Sequence, residues 1–122
     1  MSYPHPVLPP QFREFTITKQ AFLDGLATAR TFALYSELEQ LLRAGLIKGG
    51  SLDNAVVITD QAILSNNGLR FPDEFVRHKI TDLIGDMALI GRRLKAHIVS
   101  IRSGHTLNTT LARTIASACG LV

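Results

Sequence analysis

His78, Asp82 and Asp86 are spaced four residues apart in the stretch Asp73-Glu74-Phe75-Val76-Arg77-His78-Lys79-Ile80-Thr81-Asp82-Leu83-Ile84-Gly85-Asp86. On an α-helix that interval stacks side chains on one face, so His78 and Asp82 could share a single ion while Asp86 orients a neighbour. A catalytic zinc takes three protein ligands of histidine and carboxylate type and keeps one position for water. A histidine and two aspartates on the polar side of a helix are also ordinary solvated surface, so the metal reading needs a third ligand. His5, His97 and His105 are the candidates. His97 falls in an alternating stretch that suits a structural role, and His5 sits in a proline-rich lead poorly suited to rigid positioning. His105 follows Ser103-Gly104 at a predicted strand-to-helix junction, where it could ligate or act as an acid and donor. Lys79 points about 100° away from His78. It reads either as a solvated lysine or as a contact for an anionic group.

The element that must carry this row is a long helix. Asp73 is placed to cap it, Glu74 suits its first turn, and Gly91 closes it. Val76, Ile80, Leu83, Ile84, Met87 and Ile90 form its apolar sector, separate from the polar row. Before it, the pattern predicts a strand over 11–17, a helix over 19–29 capped by Thr18, a short strand over 30–35, and a helix over 37–44 capped by Ser36. Strands over 54–59 and 62–65 follow, then a turn at Asn67-Gly68 and a short pairing segment over 69–71. After the long helix come a strand over 94–101 and a last amphipathic helix over 106–118. Strands and helices mix without the regular alternation of a doubly wound sheet, which predicts an α+β fold.

The chain has 122 residues, of which 46% are hydrophobic, enough for one domain with a real core. A net charge of +3 with no long basic run names no nucleic-acid partner. The set Arg92, Arg93, Lys95 and Arg102 reads as a solvated strand edge, or else as a seat for an anion. A single cysteine, Cys119, leaves no disulfide within the chain and no cysteine-rich metal site, which fits a reducing cytoplasm. No apolar run reaches the roughly 18 residues of a transmembrane helix, and the first residues lack the pattern of a secretory signal. Four of the five prolines fall within residues 1–10, which therefore read as an extended, linker-like lead before a domain over 11–122.

Taken together, Ala29-Arg30-Thr31-Phe32, Gly49-Gly50-Ser51-Leu52-Asp53-Asn54, Gly68-Leu69-Arg70-Phe71, the Asp73 to Lys79 run, Ile84-Gly85-Asp86 and Ser103-Gly104-His105-Thr106-Leu107-Asn108 closely resemble one family. It is the zinc-dependent UDP-3-O-acyl-N-acetylglucosamine deacetylase of lipid A biosynthesis, and the likeness is to the C-terminal of its two similar domains. The resemblance implies a two-layer sandwich of a mainly antiparallel sheet packed with helices. It also implies a β-α-β insertion, placed roughly over 34–57, that forms a passage for a fatty acyl chain, with Leu34, Ile47, Ser51 and Val57 lining it.

By the same resemblance His78 and Asp82 are two of three zinc ligands, His105 is the catalytic histidine, and Asp86 orients it. Thr31 helps to stabilise an oxyanion, Phe32 contacts the nucleotide-sugar, and Lys79 faces its anionic part. The implied substrate is an acylated UDP-N-acetylglucosamine whose acetamide is hydrolysed in the cytoplasm of a Gram-negative-type bacterium. The third zinc histidine and the glutamate general base belong to the family's N-terminal domain, and nothing in this sequence matches them. The expectation is therefore a partial site that is inactive without that domain, with an exposed interface that allows self-association. A non-catalytic domain that binds the acylated nucleotide-sugar, or regulates, is the alternative. Metal sites shared between copies are a third reading.

Overall fold

The computed structural model describes residues 1–45 and 49–121, apart from the side chains of Glu39 and Leu41. The expected lining residue Ile47 lies outside the described residues. Thr18 caps the first helix α1, Lys19–Gly25, by accepting a hydrogen bond from the Ala21 N–H at 3.1 Å. This helix stops four residues earlier than expected. Strand β1, Thr31–Leu34, runs directly into helix α2, Tyr35–Arg43, whose N-cap position is Leu34 and has no side-chain cap. Ser36 therefore lies within the first turn instead of capping it. Strands β2, Ala55–Ile58, and β3, Ile63–Leu64, complete the sheet. Helix α3, Glu74–Ala88, and helix α4, His105–Ala118, close the order.

The described sheet has the order β1-β2-β3. β1 pairs with β2 in parallel from Thr31↔Ala55 to Leu34↔Ile58, and β2 pairs with β3 antiparallel through Val57↔Leu64 and Ile58↔Ile63. The fold is α+β, and its sheet is mixed, with the parallel ladder the longer one, where a mainly antiparallel sheet was expected. The connection suits this pairing: parallel neighbours cannot be joined by a tight hairpin and need a crossover, which α2 supplies. β1, α2 and β2 form a β-α-β unit over residues 31–58.

Three further expectations fail for a common reason. Residues 11–17, 69–71 and 94–101 form no strand. Alternation supplies a face, but a ladder also needs a neighbouring strand to take its N–H and C=O groups. In 94–101 Leu94 and Val99 stay exposed, and Arg92, Arg93, Lys95 and Arg102 are solvated, as expected, but on irregular backbone and not on a strand edge. Asn67 and Gly68 both have positive φ, 63° and 73°, the pair of left-handed residues that a tight turn with Asn-Gly favours.

The core forms where Val56 and Ile58 of β2 meet Phe75 of α3 and Leu8 of the proline-rich lead. Residues 1–10 have no regular secondary structure, yet they fold back on the body of the molecule: Leu8 is 2% exposed, and Met1 and Gln11 exchange backbone hydrogen bonds of 2.7 and 2.9 Å. The Gln11 side chain then accepts from the Val76 N–H at 3.0 Å, which ties the lead to the start of α3. On the other side of α3, α4 presents Asn108, Ala112 and Ala116, a buried stripe at four-residue spacing whose small side chains let the two helices approach closely. No described helix is long and apolar enough to cross a membrane.

The join between β1 and α3 is ionic. Glu74 is fully buried and takes two bonds from the Arg30 guanidinium, at 2.9 and 3.1 Å, and two backbone N–H bonds, from Arg30 at 2.9 Å and Arg70 at 2.7 Å. Burial pushes the Glu74 carboxyl up, but those bonds and the charge of Arg30 outweigh it and hold it below its ordinary value of 4.5. Asp73, expected to cap α3 with its side chain, instead pairs with Arg77 at 2.5 Å and with Arg13 at 3.3 Å. Arg77 in turn lies over the Phe71 ring at 4.2 Å, so the carboxylate of Asp73 is drawn along the helix and away from its N-terminal N–H groups.

Candidate active site

α3 delivers the predicted row. Its four-residue register carries His78, Asp82 and Asp86 along one side, and α4 brings His105 against it from the next element. His78 Nε2 lies 3.2 Å from Asp82 Oδ1, and His105 Nε2 lies 4.0 Å from the same oxygen. Lys79 Nζ reaches the other oxygen, Oδ2, at 3.0 Å. Asp82 is therefore the centre of the group, flanked by two imidazoles and an ammonium.

The outer partners decide the tautomers. His78 Nδ1 faces the Ala29 carbonyl oxygen at 3.2 Å. A carbonyl only accepts, so that nitrogen carries a proton, and in the neutral ring Nε2 keeps the lone pair. His105 Nδ1 lies 2.9 and 3.1 Å from the two Asp86 oxygens, so Nδ1 carries a proton there too and the ring's orientation is fixed, with Nε2 turned outward. Asp86 also accepts from Asn108 Nδ2 at 2.9 Å. Burial pushes the Asp86 carboxyl up, but the bonds from Asn108 and His105, with the charges of His105 and Lys79, leave it below its ordinary value of 3.8. Asp86 thus stays an acceptor, buried at 8% exposure, beneath a His105 side chain that is 67% exposed.

With the ring neutral, two acceptor atoms, His78 Nε2 and Asp82 Oδ1, face one another at 3.2 Å. Such a contact is favourable only with positive charge between or beside them, supplied by a proton or a cation. The donor set fits zinc: a neutral imidazole nitrogen anchored through its other nitrogen, beside a carboxylate oxygen. Among the described residues no group of three or more histidine, cysteine, aspartate or glutamate side chains forms a metal cage.

Phe32 belongs to the same neighbourhood. Its ring meets His78 edge-on at 6.3 Å, Lys79 Nζ sits 5.5 Å from its centroid, and Phe75 and Tyr3 pack against it at 5.0 and 6.1 Å. Thr31 precedes it, exposed, at the start of β1. The other expected residues spread out. Leu34 packs on the core side of the sheet with Phe32, whereas Val57, one position off that alternation, belongs to the opposite face. Ser51 is exposed in the turn before β2, where its N–H donates to Asn54 Oδ1 at 2.9 Å. His97 is exposed on the irregular segment, and His5 lies 3.6 Å from Asp60, apart from the row.

Asn108 and Glu74 are site residues that pattern reading passed over. Each had a signal. Asn108 shares its spacing with two buried alanines, and a polar group on a buried stripe requires a partner. Glu74 stands four residues before His78, so the row begins one turn earlier than the chemistry suggested. The Ala29 carbonyl, being backbone, left no trace in residue type.

Residues 1–117 match the UDP-3-O-acyl N-acetylglycosamine deacetylase family. A UDP-3-O-acyl-N-acetylglucosamine deacetylase of Chlamydia felis is 53% identical over 116 residues, which cover 94% of this chain and 41% of the relative. Its counterpart in Citrifermentans bemidjiense is 47% identical, with 91% of this chain and 36% of the relative covered. One from an Anaeromyxobacter species is 45% identical, with 93% and 37% covered. The chain thus spans about two-fifths of the length of these relatives. With the match running through α3, the His105–Asp86 pair and nearly all of the remaining chain, this protein belongs to the UDP-3-O-acyl N-acetylglycosamine deacetylase family.

Proposed function

We propose that the chain is the C-terminal part of a zinc-dependent deacetylase that hydrolyses the acetamide of an acylated UDP-N-acetylglucosamine, a cytoplasmic step of lipid A biosynthesis. The observation that carries this reading is the convergence of His78 and His105, each anchored through Nδ1, on the single carboxylate of Asp82. His78 Nε2 and Asp82 Oδ1 would hold the metal, with a third ligand and a glutamate base contributed by the family's N-terminal domain. Zinc at that position would supply Lewis acidity and lower the pKa of a bound water.

The remaining work falls to this chain's own groups. His105, held by Asp86 through Nδ1, presents Nε2 outward, where it can stabilise developing negative charge and then give a proton to the leaving amine. The exposed Thr31 hydroxyl is a second donor for the oxyanion, and such donors are worth about 2.7–4 kcal/mol each in a water-excluded site. Phe32 offers a ring face to the sugar, and Lys79 beside it offers an ammonium to the nucleotide's anionic part. The acyl chain is assigned to the β1-α2-β2 unit.

The test is metal content and deacetylase turnover, measured for this chain alone and after addition of the N-terminal part of a relative. Turnover and stoichiometric zinc only in the combined sample are expected. Turnover by the chain alone would refute the shared site, and substrate binding without turnover in the combined sample would favour a binding or regulatory role.

A further inference from the structure

One peptide group, that between Ala29 and Arg30, is gripped at both ends by side chains of the same helix. Its N–H donates to Glu74 Oε1 at 2.9 Å, and its C=O accepts from His78 Nδ1 at 3.2 Å. The peptide lies just before β1, outside the sheet ladder, so its two polar groups depend on side chains for partners. Residues 74 and 78 are one helical turn apart, about 6 Å along the axis, a span that a peptide with a hydrogen bond at each end can bridge. Glu74 is fixed in turn by Arg30 and by the Arg70 N–H.

We propose that Glu74 is a positioning residue for His78, acting through the Ala29–Arg30 peptide. A carboxylate on the N–H end polarises the peptide and makes its carbonyl a stronger acceptor. The stronger acceptor holds the proton on His78 Nδ1, fixes the ring's orientation, and leaves Nε2 a better electron-pair donor. The arrangement resembles a carboxylate–histidine pair with one peptide inserted, and it differs from His105, whose Nδ1 meets Asp86 directly. The consequence for metal binding rests on the zinc reading above; the bridge itself does not.

Long-range proton–nitrogen correlation spectra of the full chain test it, at a pH where the imidazoles are neutral. The native chain is expected to show His78 protonated at Nδ1. Replacing the charged pair with an uncharged one that can still hydrogen-bond, Arg30→Gln with Glu74→Gln, should shift His78 toward the Nε2–H form that free imidazole favours, leaving His105 unmoved. His78→Phe keeps a ring in place but removes the donor, and should move the Arg30 amide proton upfield; this arm decides the matter even where the double variant fails to fold. An Nε2–H tautomer in the native chain, or an unmoved Arg30 amide in His78→Phe, would overturn the proposal. In the combined protein, the double variant should bind zinc about 10- to 100-fold more weakly. The expected tautomer accompanied by no zinc binding would refute the metal reading while supporting the bridge.

Discussion

At the scale of residues, the proposed function makes the His105–Asp86 pair the place where loss of a few atoms should cost most activity. In the combined protein, His105→Ala removes the outward-facing Nε2 and should lower turnover about 10²–10⁴-fold, the range for a lost general acid or base. Asp86→Asn keeps an acceptor for one partner but removes the charge beneath the imidazole, and should fall less far; steady-state kinetics on both variants check the order. The types and spacing of His78, Asp82 and Asp86 were legible in the sequence because helical periodicity alone brings them to one face. The proton placement on His78 and His105 was not, since it depends on a backbone carbonyl at Ala29 and on which oxygen each ring meets.

At the scale of elements, the Arg30–Glu74 join decides how β1 sits on α3. Glu74→Leu alone leaves the buried Arg30 guanidinium without its partner and should cost about 3–5 kcal/mol in denaturant unfolding. Arg30→Met with Glu74→Leu removes the unpaired charge and should cost less than Glu74→Leu alone, retaining a penalty of about 1–3 kcal/mol for each of the backbone N–H groups at positions 30 and 70 left without an acceptor. The same carboxylate gives a pH dependence. Its folded-state pKa is lowered, so its contribution is fully present above the ordinary value of 4.5 and is lost as the pH falls through the depressed folded value. Native stability followed by denaturant titration should decline below that pH, with a shallower decline in the double apolar variant. Helices α1 to α4 are legible from their periodicity, but the segment 94–101 alternates like a strand while forming none, because the absence of a pairing neighbour cannot be seen locally.

At the scale of the whole molecule, the lead over residues 1–10 is part of the packed body. Leu8→Ala should cost about 2–5 kcal/mol, the range for a buried leucine, as measured by a shift in the denaturant midpoint. Prolines indicate an extended path but do not say what that path lies against, so this contact was not legible. Val99, Ile101 and Leu107 line a shallow hollow of about 210 Å³, and each is largely exposed. Concentration-dependent self-association in sedimentation velocity is the expected result, and Ile101→Ser should weaken it. The register 74, 78, 82, 86 has a consequence for how the sequence can vary in length. Adding or removing one residue inside that span turns everything beyond it by about 100°, separating the anchored imidazole from its carboxylates in a single step. The irregular stretch between α3 and α4 imposes no such register, so length variants selected for retained function should gather there and be missing from the turns of α3.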